Sequence, residues 1–502
     1  MQEAIAAIDV GSNAIRMVIG MIEADYRPKV VENIRESIRL GADVFTKGSI
    51  SNETLELAIE SFIKFRKLLY KHQVKRLRAV GTSALREATN RDLFIDKIAQ
   101  ASDIQIEVIG GEEEARLVHL AVSQKVNFKN KPALLVDIGG GSVEVILVSE
   151  GKIAATESFK MGTVRLLKIL EDKKNGDKHF SQLVKEYVNA TKRRIKKEIG
   201  TQKIGVCIAT GGNVESLGDL RKTLFEKDRT LVTKNELETI LQKLQKMSME
   251  ERVDRLGLRP DRADVLLPAS IVLQKIANLA GVKEIQIPHV GLKDGILAEM
   301  AMKQEGQAEI RHEQVLASAI QLARKYSSDE AHAKQTARFA LQLFDQTHAL
   351  HYLNHEARFL LEIASLLHDI GHFINMAGHH KHTYYIITQT PLIGLNDNQR
   401  AIVANVARYH RKAPPSLRHE GYQKLSPQDR VVVTKLSAIL RLADALDTEH
   451  ASRITHLSVE YKRPEFRLKL EGEGDLLLEK WALLKRSSFF EETFNVKVTV
   501  DA

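Results

Sequence analysis

The chain of 502 residues contains one cysteine, one tryptophan and only 5% aromatic residues. Cys207 alone forms no internal disulfide, and without a cysteine pair there is no cysteine-based zinc site, so a disulfide-stapled secreted scaffold is excluded. No run of about 18 apolar residues is free of charge, which argues against a membrane partner. The first residues lack a basic leader with an apolar core, so we expect no signal peptide and a cytoplasmic location.

Charged residues, in contrast, are plentiful, with 74 Lys and Arg against 65 Asp and Glu and a formal net charge of +9. Hydrophobic residues make up 43% of the chain, a composition typical of globular rather than disordered proteins. The positive excess favours an anionic partner, and nucleic acid, nucleotide and inorganic polyphosphate satisfy it equally. At about 150 residues per domain, the length predicts three or four domains.

An internal repeat relates residues 8–19 to residues 136–147 without a gap. Each copy has an apolar strand that ends in Asp, a glycine-containing turn and a second alternating strand, which predicts two β-hairpins with polar tips. Asp9 aligns with Asp137, and Arg16 aligns with Glu144. Two copies so far apart indicate two similar domains rather than a solenoid.

Domain boundaries are predicted from changes in the residue pattern. Strand patterns, as at 204–209, alternate with helix patterns, as at 52–70, which is typical of an α/β fold. Strand patterns then give way to Leu- and Ala-rich helices, and return near the end at 455–461, 465–470 and 495–500. The predicted units are two α/β domains at 1–125 and 126–306, an all-helical domain at 307–450 and a small α+β domain at 451–502.

Three glycine turns that follow strands have the chemistry of phosphate binding. Glycine lets backbone N–H groups approach a phosphate closely, and a helix that starts after such a turn directs its N-terminus at an anion. An ordinary turn is the competing interpretation for each one alone, and the three together favour binding. The predicted phosphate-binding residues are Gly11, Ser12 and Asn13; Gly139, Gly140, Gly141 and Ser142; and Gly211, Gly212 and Asn213.

Carboxylates accompany the first two turns. Asp9 and Asp137 end their strands, and Glu144 lies in the second strand of the second hairpin. Mg²⁺ prefers hard oxygen ligands, usually one or two carboxylates together with substrate phosphates. We therefore predict a Mg²⁺ site formed by Asp9, Asp137 and Glu144.

Taken together, these motifs resemble the exopolyphosphatase / guanosine pentaphosphate phosphohydrolase family of the actin, Hsp70 and sugar-kinase superfamily. The resemblance implies two ribonuclease H-like domains, with a cleft between them in which water removes terminal phosphates. It also implies linear polyphosphate as the substrate, guanosine pentaphosphate as the alternative, and a homodimer. The matching motifs are DVGSN from residue 9, TSALREA from 82, GEEEARL from 111, DIGGGSVE from 137, ATGGN from 209, GLKDG from 291 and ARYHRK from 407.

The resemblance further implies roles for individual residues. Glu114 matches the general base that activates water, and the triplet Glu112 to Glu114 leaves Glu113 as the alternative. Acids at a helix start also interact favourably with the helix dipole, which is the structural alternative. Arg86 matches an arginine that contacts substrate phosphate, a role that suits a bidentate guanidinium; a surface salt bridge is its alternative. Asp137 and Glu144 match metal-associated carboxylates.

Histidines concentrate in the predicted helical domain, where 13 of the 18 lie between His332 and His456. A histidine on one helix, a His-Asp doublet and a late aspartate resemble the HD phosphohydrolase pattern, in which imidazoles and carboxylates bind a divalent metal. The candidate second metal site is His332, His368, Asp369 and Asp444. The alternative is that these residues are core or surface residues of a degenerate HD-like domain.

Four functions are compatible with these patterns. The first is hydrolysis of polyphosphate or guanosine pentaphosphate in the N-terminal cleft; the others are a kinase, a sensor without catalysis, and a phosphohydrolase in the HD-like domain. A basic path could hold a phosphate chain, with no nucleic acid expected as partner. Its candidate contributors are Arg86, residues 192–197 on a helix that begins near Phe180, and residues 408–412. For 192–197 a solvated helix face is the favoured alternative.

Overall fold

The computed structural model describes residues 3–23, 26–128, 131–170, 176–200, 203–302 and 304–501. The chain forms two compact units, Met1–Glu309 and Ile310–Ala502. The first unit contains two β-sheets covered by helices, and the second contains helices and one small sheet.

The first sheet has the strand order β3-β2-β1-β4-β5. Its first three strands are antiparallel, and β4 and β5 run parallel to β1. All seven residues of the apolar first strand are buried, because helices cover the sheet. The elements are β1 (Ala4–Val10), β2 (Ile15–Ile22), β3 (Pro28–Glu36), α1 (Leu40–Lys47), α2 (Asn52–Lys71), β4 (Arg76–Gly81), α3 (Ser83–Glu87), α4 (Arg91–Ser102), β5 (Ile106–Val108) and α5 (Gly111–Ser123).

The second sheet has the order β10-β11-β9-β6-β7-β8 and repeats the hairpin of the first. Its elements are β6 (Ala133–Ile138), β7 (Val143–Ser149), β8 (Lys152–Phe159), α6 (Thr163–Leu170), α7 (Gly176–Ala190), α8 (Lys192–Ile199), β9 (Val206–Thr210), α9 (Gly212–Phe225), β10 (Leu231–Thr233), α10 (Lys234–Lys246), α11 (Met249–Leu256), α12 (Pro260–Ala263), α13 (Leu266–Ala280), β11 (Glu284–Gln286) and α14 (Leu292–Ala301).

The register of the two hairpins matches the internal repeat. Asp9 is the cross-strand partner of Arg16 in the first hairpin, and Asp137 is the partner of Glu144 in the second. The aligned residues therefore occupy equivalent positions in two different sheets. The predicted mixed α/β architecture of the N-terminal half is present.

Two details differ from the sequence-based expectation. The basic run 192–197 does not continue a helix from Phe180; it lies on α8, a separate helix that starts after Thr191.

The boundary at 306 assigned α14 to the second domain, but α14 packs against α5 and β1 of the first. Gly295 permits this packing, since a Cβ there would lie 2.0 Å from the carbonyl oxygen of Leu117. Glu299 on α14 also forms an ion pair with Arg116 on α5.

The second unit is helical and ends in a three-stranded sheet of order β12-β13-β14. A 3-10 turn at Ile370–Phe373 follows α18. The helices and strands, including α15, which begins before the unit boundary, are α15 (Gln304–Lys325), α16 (Glu330–Gln346), α17 (His348–His351), α18 (His355–Leu367), α19 (His379–Gln389), α20 (Asp397–Arg408), α21 (Glu420–Gln423), α22 (Pro427–Ala445), β12 (Ile454–Lys462), β13 (Glu465–Gly472), α23 (Leu477–Arg486), α24 (Ser488–Phe494) and β14 (Lys497–Asp501).

The small sheet has no core of its own. Leu457, Phe466 and Leu468 belong to the same buried cluster as Phe339 and Leu436 of the helices. The predicted units 307–450 and 451–502 therefore share one hydrophobic core.

One segment, Pro260–Ala280, is long and apolar enough to cross a membrane. However, 67% of its 18-residue apolar window is buried inside the protein. Its helix α13 packs against α7 and α10 and contributes Ile271 and Leu273 to the core of the second sheet. The apolar character of this segment is thus explained by its central place in the fold.

Replacing Gly295 by alanine should lower the free energy of unfolding by about 1–3 kcal/mol, because overpacking against backbone outweighs the helix propensity of alanine. Urea unfolding measures the change. Gly291→Ala is the matched control, since among the described residues no heavy atom lies within 4 Å of a Cβ at this N-cap position. Equal stability of the two variants would contradict the close packing of α14 on α5.

Candidate active site

Both hairpin tips and the turn after β9 line one cavity of about 100 Å³ in the first unit. A water molecule needs roughly 10–15 Å³ of such space, so the cavity has room for several waters or for a group of similar size. Most of the residues predicted from the glycine turns and the acidic motifs meet here. They are Asp9, Gly11, Ser12, Asn13, Glu114, Asp137, Gly139, Gly140, Ser142, Gly211, Gly212 and Asn213.

Gly141, predicted to bind phosphate, is not among the lining residues. It is buried behind the cavity, where a Cβ would lie 2.2 Å from Ser83 Oγ and 2.5 Å from Phe45 Cζ. A Cβ on the neighbouring Gly140 would lie 3.0 Å from Ser12 Cβ. These two glycines therefore let the two hairpin tips approach each other, in addition to any contact with a ligand.

Three helices begin at the cavity. The lining includes Ser83 at the start of α3, Gly212 at the start of α9 and Leu292 at the start of α14. The first N–H groups of a helix have no partner within the helix, and the positive end of the helix dipole favours anions. Gly211, with φ +100°, makes the turn into α9, and a Cβ there would lie 2.4 Å from the carbonyl oxygen of Ile138. These three helix starts favour an anionic group in this part of the cavity.

Three carboxylates converge beside these helix ends. Glu114 on α5, Asp137 at the end of β6 and Glu144 on β7 each place one oxygen within 4.8 Å of the others. Among the described residues, Glu114 Oε2 and Glu144 Oε2 have no hydrogen-bond partner. Asp9, the third predicted ligand, instead pairs with Arg16 Nη1 at 3.1 Å.

The carboxylates raise one another's pKa. Burial, then the charge of Glu144, raises the pKa of Glu114 well above its usual range, and Arg86 opposes this rise. Burial and Asp137 raise the pKa of Glu144, and burial raises the pKa of Asp137 to about 6. These four buried acids, counting Asp9, share the site with Arg16 and Arg86. The cavity lining adds two further cations, Arg262 and Lys293, and two further acids, Glu215 and Asp294. This excess of negative charge and the orphaned oxygens fit a divalent cation.

Glu114 and Glu113, the two candidates for the general base, have different surroundings in the structure. Glu113 accepts hydrogen bonds from Arg116 Nε at 2.7 Å and from Arg78 Nη2 at 3.1 Å. Burial opposes ionisation of Glu113, but these hydrogen bonds outweigh it and lower its pKa. Glu114 lines the cavity, and Glu113 does not. Arg86 lies beside the base candidate, with Nη1 3.7 Å from Glu114 Oε2, and donates a hydrogen bond to the carbonyl of Ile109.

Arg262 is a lining residue that the sequence patterns did not indicate. Its Nη1 donates to Asn213 Oδ1 at 2.7 Å, which places the guanidinium over the start of α9. Burial and the charges of Arg16 and Arg35 lower the pKa of Arg262 to about 9. A cation so destabilised by its neighbours is well suited to an anionic ligand. Lys293 and Asp294 also line the cavity; they lie in the GLKDG motif, which had no assigned role.

Comparison with known proteins agrees with this geometry. The model of the Ppx/GppA phosphatase family matches residues 18–304, and that of Ppx/GppA phosphatase, domain III, matches residues 315–488. The chain belongs to the Ppx/GppA phosphatase family. Members of the Ppx/GppA family are phosphatases that hydrolyse phosphoanhydride bonds, so the chain is a hydrolase of this class.

Individual Ppx/GppA relatives carry two kinds of name. The guanosine-5'-triphosphate,3'-diphosphate pyrophosphatase of Vibrio atlanticus is 28% identical over 476 residues, which are 93% of this chain and 90% of the relative. That of Photobacterium profundum is 26% identical over 442 residues, 87% of this chain and 85% of the relative. The crystal structure of an exopolyphosphatase from Cytophaga hutchinsonii is similar with a TM-score of 0.56 and 29% identity, over 60% of this chain and 98% of that one.

The second unit of this Ppx/GppA chain brings the candidate HD-type residues together. His332 Nε2 lies 3.5 Å from Asp444 Oδ1, and His368 Nε2 lies 3.5 Å from Asp369 Oδ2. Burial lowers the pKa of the neighbouring His410 to about 3. Burial also opposes a charge on His332, but hydrogen bonds with Asp444 and Asp447 outweigh it and raise the pKa of His332 to about 9. His379, His410 and His372 complete the cluster. None of them was a predicted metal ligand, and His410 had been placed in the candidate basic path.

With divalent cations removed by a chelator, the free energy of unfolding of the first unit should fall as pH rises from 4 to 8. The fold favours the protonated carboxyls because their pKa values are raised, so ionising them costs stability. For Asp137, a rise from 3.8 to about 6 corresponds to about 3 kcal/mol. Denaturant unfolding of wild type and Asp137→Asn at both pH values measures the difference.

The wild type should lose more stability over this pH range than Asp137→Asn, and added Mg²⁺ should restore stability at pH 8 but not at pH 4. Glu113→Gln is the matched control, because its ordinary ion pairs do not depend on a bound cation. An identical pH dependence in wild type and Asp137→Asn would contradict the electrostatic account of the cavity.

Proposed function

We propose that this chain is an exopolyphosphatase that removes the terminal phosphate of linear polyphosphate by hydrolysis, with Glu114 as the general base. The observation that carries the proposal is the position of Glu114, a buried carboxylate in a cavity lined by glycine turns and helix N-termini. The name of the Cytophaga hutchinsonii relative, an exopolyphosphatase, supports the same substrate.

The lining of the cavity supports an inorganic chain rather than an organic group as the part of the substrate that enters. Among the described lining residues no side chain is aromatic, and the apolar ones are Ala14, Ile138 and Leu292. The remainder consists of six glycines, six Ser, Thr or Asn residues, five carboxylates and three cations, which are Arg16, Arg262 and Lys293. Phosphoryl transfer depends on positioning and on stabilising charge, and these groups supply both.

In the proposed reaction, a water oxygen attacks the terminal phosphorus while the bridging P–O bond breaks. The attacking water must lose a proton, which Glu114 accepts. A carboxylate whose pKa is raised by burial is a stronger base than an ordinary one, and such a base typically contributes about 10²- to 10⁴-fold in rate. Arg86, 3.7 Å from Glu114 Oε2, favours the ionised form that this role needs.

Asp137 and Glu144 would hold a Mg²⁺ ion, with Glu114 nearby. When bound, Mg²⁺ would neutralise charge on the substrate phosphates and on the leaving phosphate oxygen. Thr210 Oγ1 donates to Asp137 Oδ1 at 2.6 Å, and Ser158 Oγ donates to Glu144 Oε1 at 2.8 Å. These hydrogen bonds fix one oxygen of each carboxylate. Asp9 then has a different task, which is to orient Arg16 at the first hairpin tip.

Guanosine pentaphosphate is the second candidate substrate, because the Vibrio and Photobacterium relatives are named for guanosine-5'-triphosphate,3'-diphosphate pyrophosphatase activity. The same residues would act, since the bond broken is again a terminal phosphoanhydride. The nucleoside would lie outside the lining described above. The homodimer and the cytoplasmic location stay predictions from the sequence.

Glu114→Gln should reduce phosphate release from long-chain polyphosphate about 10²- to 10⁴-fold, because the amide cannot accept the proton. Phosphate release without any acceptor is the measurement, and a filter-binding assay checks that polyphosphate still binds. Glu113→Gln is the matched control on the same helix turn; it should lose stability through its arginine contacts but keep the wild-type kcat. Equal activity of Glu114→Gln and wild type would overturn the assignment of the base.

The same two variants, assayed on guanosine pentaphosphate, decide between the substrates. We expect a higher kcat/KM for polyphosphate, with both activities lost in Glu114→Gln. A higher kcat/KM for guanosine pentaphosphate would favour the second candidate. Turnover that requires a phosphoryl acceptor would point to a kinase, and no turnover of either substrate would point to a sensor.

Arg262→Ala should raise KM for polyphosphate about 10-fold or more, because it removes a charge-assisted contact with a phosphate, which is worth about 1.5–3 kcal/mol. Steady-state kinetics at two salt concentrations measure the effect, and the salt dependence of KM should weaken in the variant. Arg259→Ala is the control, since Arg259 lies on the same segment but does not line the cavity. An unchanged KM would show that Arg262 serves only to hold Asn213.

A further inference from the structure

The histidine cluster of the second unit contains two pairs of rings that face each other through the same atom. His332 Nε2 and His368 Nε2 are 3.2 Å apart, and His379 Nε2 and His410 Nε2 are 3.1 Å apart. All four rings are buried. The two Nε2 atoms of each pair are therefore in contact with each other and buried away from water, so each needs a hydrogen-bond or metal partner inside the protein.

The other nitrogen of each ring, Nδ1, already has a hydrogen-bond partner. Nδ1 of His368 lies 2.7 Å from the carbonyl of Ser365, and Nδ1 of His410 lies 2.7 Å from the carbonyl of Ala407. Nδ1 of His379 lies 3.1 Å from the carbonyl of Met376, and Nδ1 of His332 lies 2.8 Å from Asp447 Oδ2. Carbonyl and carboxylate oxygens only accept hydrogen bonds, so Nδ1 is the donor in His332, His368 and His410. Nδ1 of His379 also lies 2.5 Å from His372 Nε2, a nitrogen that can accept the same hydrogen.

A neutral imidazole whose Nδ1 carries the hydrogen has a lone pair on Nε2. Two such lone pairs at 3.1–3.2 Å repel each other, and neither can donate a hydrogen bond to the other. A cation between the two Nε2 atoms, either a proton or a metal ion, removes this repulsion. An Nδ1–H bonded to a backbone carbonyl or a carboxylate is also the usual way in which a protein orients a metal-binding histidine.

Asp369 lies between the two pairs and offers one oxygen to each. Its Oδ2 is 3.5 Å from His368 Nε2 and 3.8 Å from His332 Nε2. Its Oδ1 is 3.3 Å from His379 Nε2 and 3.5 Å from His410 Nε2. Asp444 Oδ1 stands on the side of the first pair, 3.5 Å from His332 Nε2. A single carboxylate thus connects two separate sets of nitrogen donors.

We propose that this cluster is a two-metal centre rather than the single metal site expected from its sequence motif. One divalent ion lies between His332, His368 and Asp444, a second lies between His379 and His410, and Asp369 bridges them. Imidazole and carboxylate donors in this mixture suit Mn²⁺, Fe²⁺ or Zn²⁺. This centre is independent of the cleft and of the function proposed for it.

A phosphate-bearing anion is the ligand class that this centre fits. Arg411 Nη1 lies 3.5 Å from His379 Nδ1 and 3.4 Å from its Nε2, which brings a guanidinium to the edge of the second ion's position. Arg408, Lys381 and Lys412 add positive charge around the adjacent His380. Paired divalent ions with open positions clamp phosphate oxygens, and a neighbouring arginine adds a bidentate contact.

The test uses the full chain carrying Glu144→Gln, so that the cleft does not contribute a metal. The protein is freed of metal with a chelator and titrated with Mn²⁺, and electron paramagnetic resonance counts the ions bound. We expect two Mn²⁺ per chain and the spectrum of an exchange-coupled pair. One ion per chain, no bound ion, or two ions without coupling would overturn the proposal.

Substitutions then locate the ions. His410→Ala and His368→Ala should each abolish the coupled spectrum, and Asp369→Asn should uncouple the ions even where both still bind. His382→Ala is the matched control, since His382 lies on the same helix as His379 but outside the cluster. Circular dichroism of each metal-free variant verifies folding. If a variant does not fold, the ion count and the spectrum of the parent chain still test the proposal. A coupled spectrum that survives Asp369→Asn would contradict the bridging role.

Inorganic phosphate is the probe for the ligand. The Mn²⁺-loaded chain should broaden its ³¹P resonance, and Arg411→Ala should reduce this broadening several-fold at equal metal content. A resonance that stays sharp would overturn the assignment of phosphate as the ligand class.

Discussion

The close contact between the two hairpin tips is the constraint on which the candidate active site depends. Each tip ends a strand with a carboxylate, and the absence of side chains at Gly140 and Gly141 lets the second tip reach Ser12 and Ser83. Asp137 and Asp9 line the same cavity, and Glu144 lies beside Asp137 with one oxygen within 4.8 Å of it. Burial and the mutual repulsion of these acids raise the pKa values of Glu114, Asp137 and Glu144.

The parts of this arrangement that were predictable from sequence are local ones. The repeat at 8–19 and 136–147 predicted the hairpins and the glycine turns, because strand alternation and turn chemistry act over a few residues. The family motif also gave Glu114, but its distinction from Glu113 needed the structure. Those two side chains differ in what they face across the helix, Arg116 and Arg78 in one case and the cavity in the other.

The other features of the two sites depend on contacts between segments that are far apart in the chain, and a local sequence pattern does not predict such contacts. Arg262 enters the cavity from a helix with no motif of its own, and Gly141 is needed for packing rather than for lining. In the second unit, the His368-Asp369 doublet was visible as a motif. The pairing of His379 with His410 was not, since they lie on α19 and at the end of α20 and meet only when those helices pack.

The return of α14 to the first sheet makes the first domain discontinuous along the chain. Its strands and α5 are complete by Ser123, but the helix that covers β1 and α5 comes from Leu292–Ala301. During synthesis on the ribosome, α14, the last layer of the first domain, is therefore made only after the whole second domain. Until then, the faces of β1 and α5 that pack against α14 lack this covering helix.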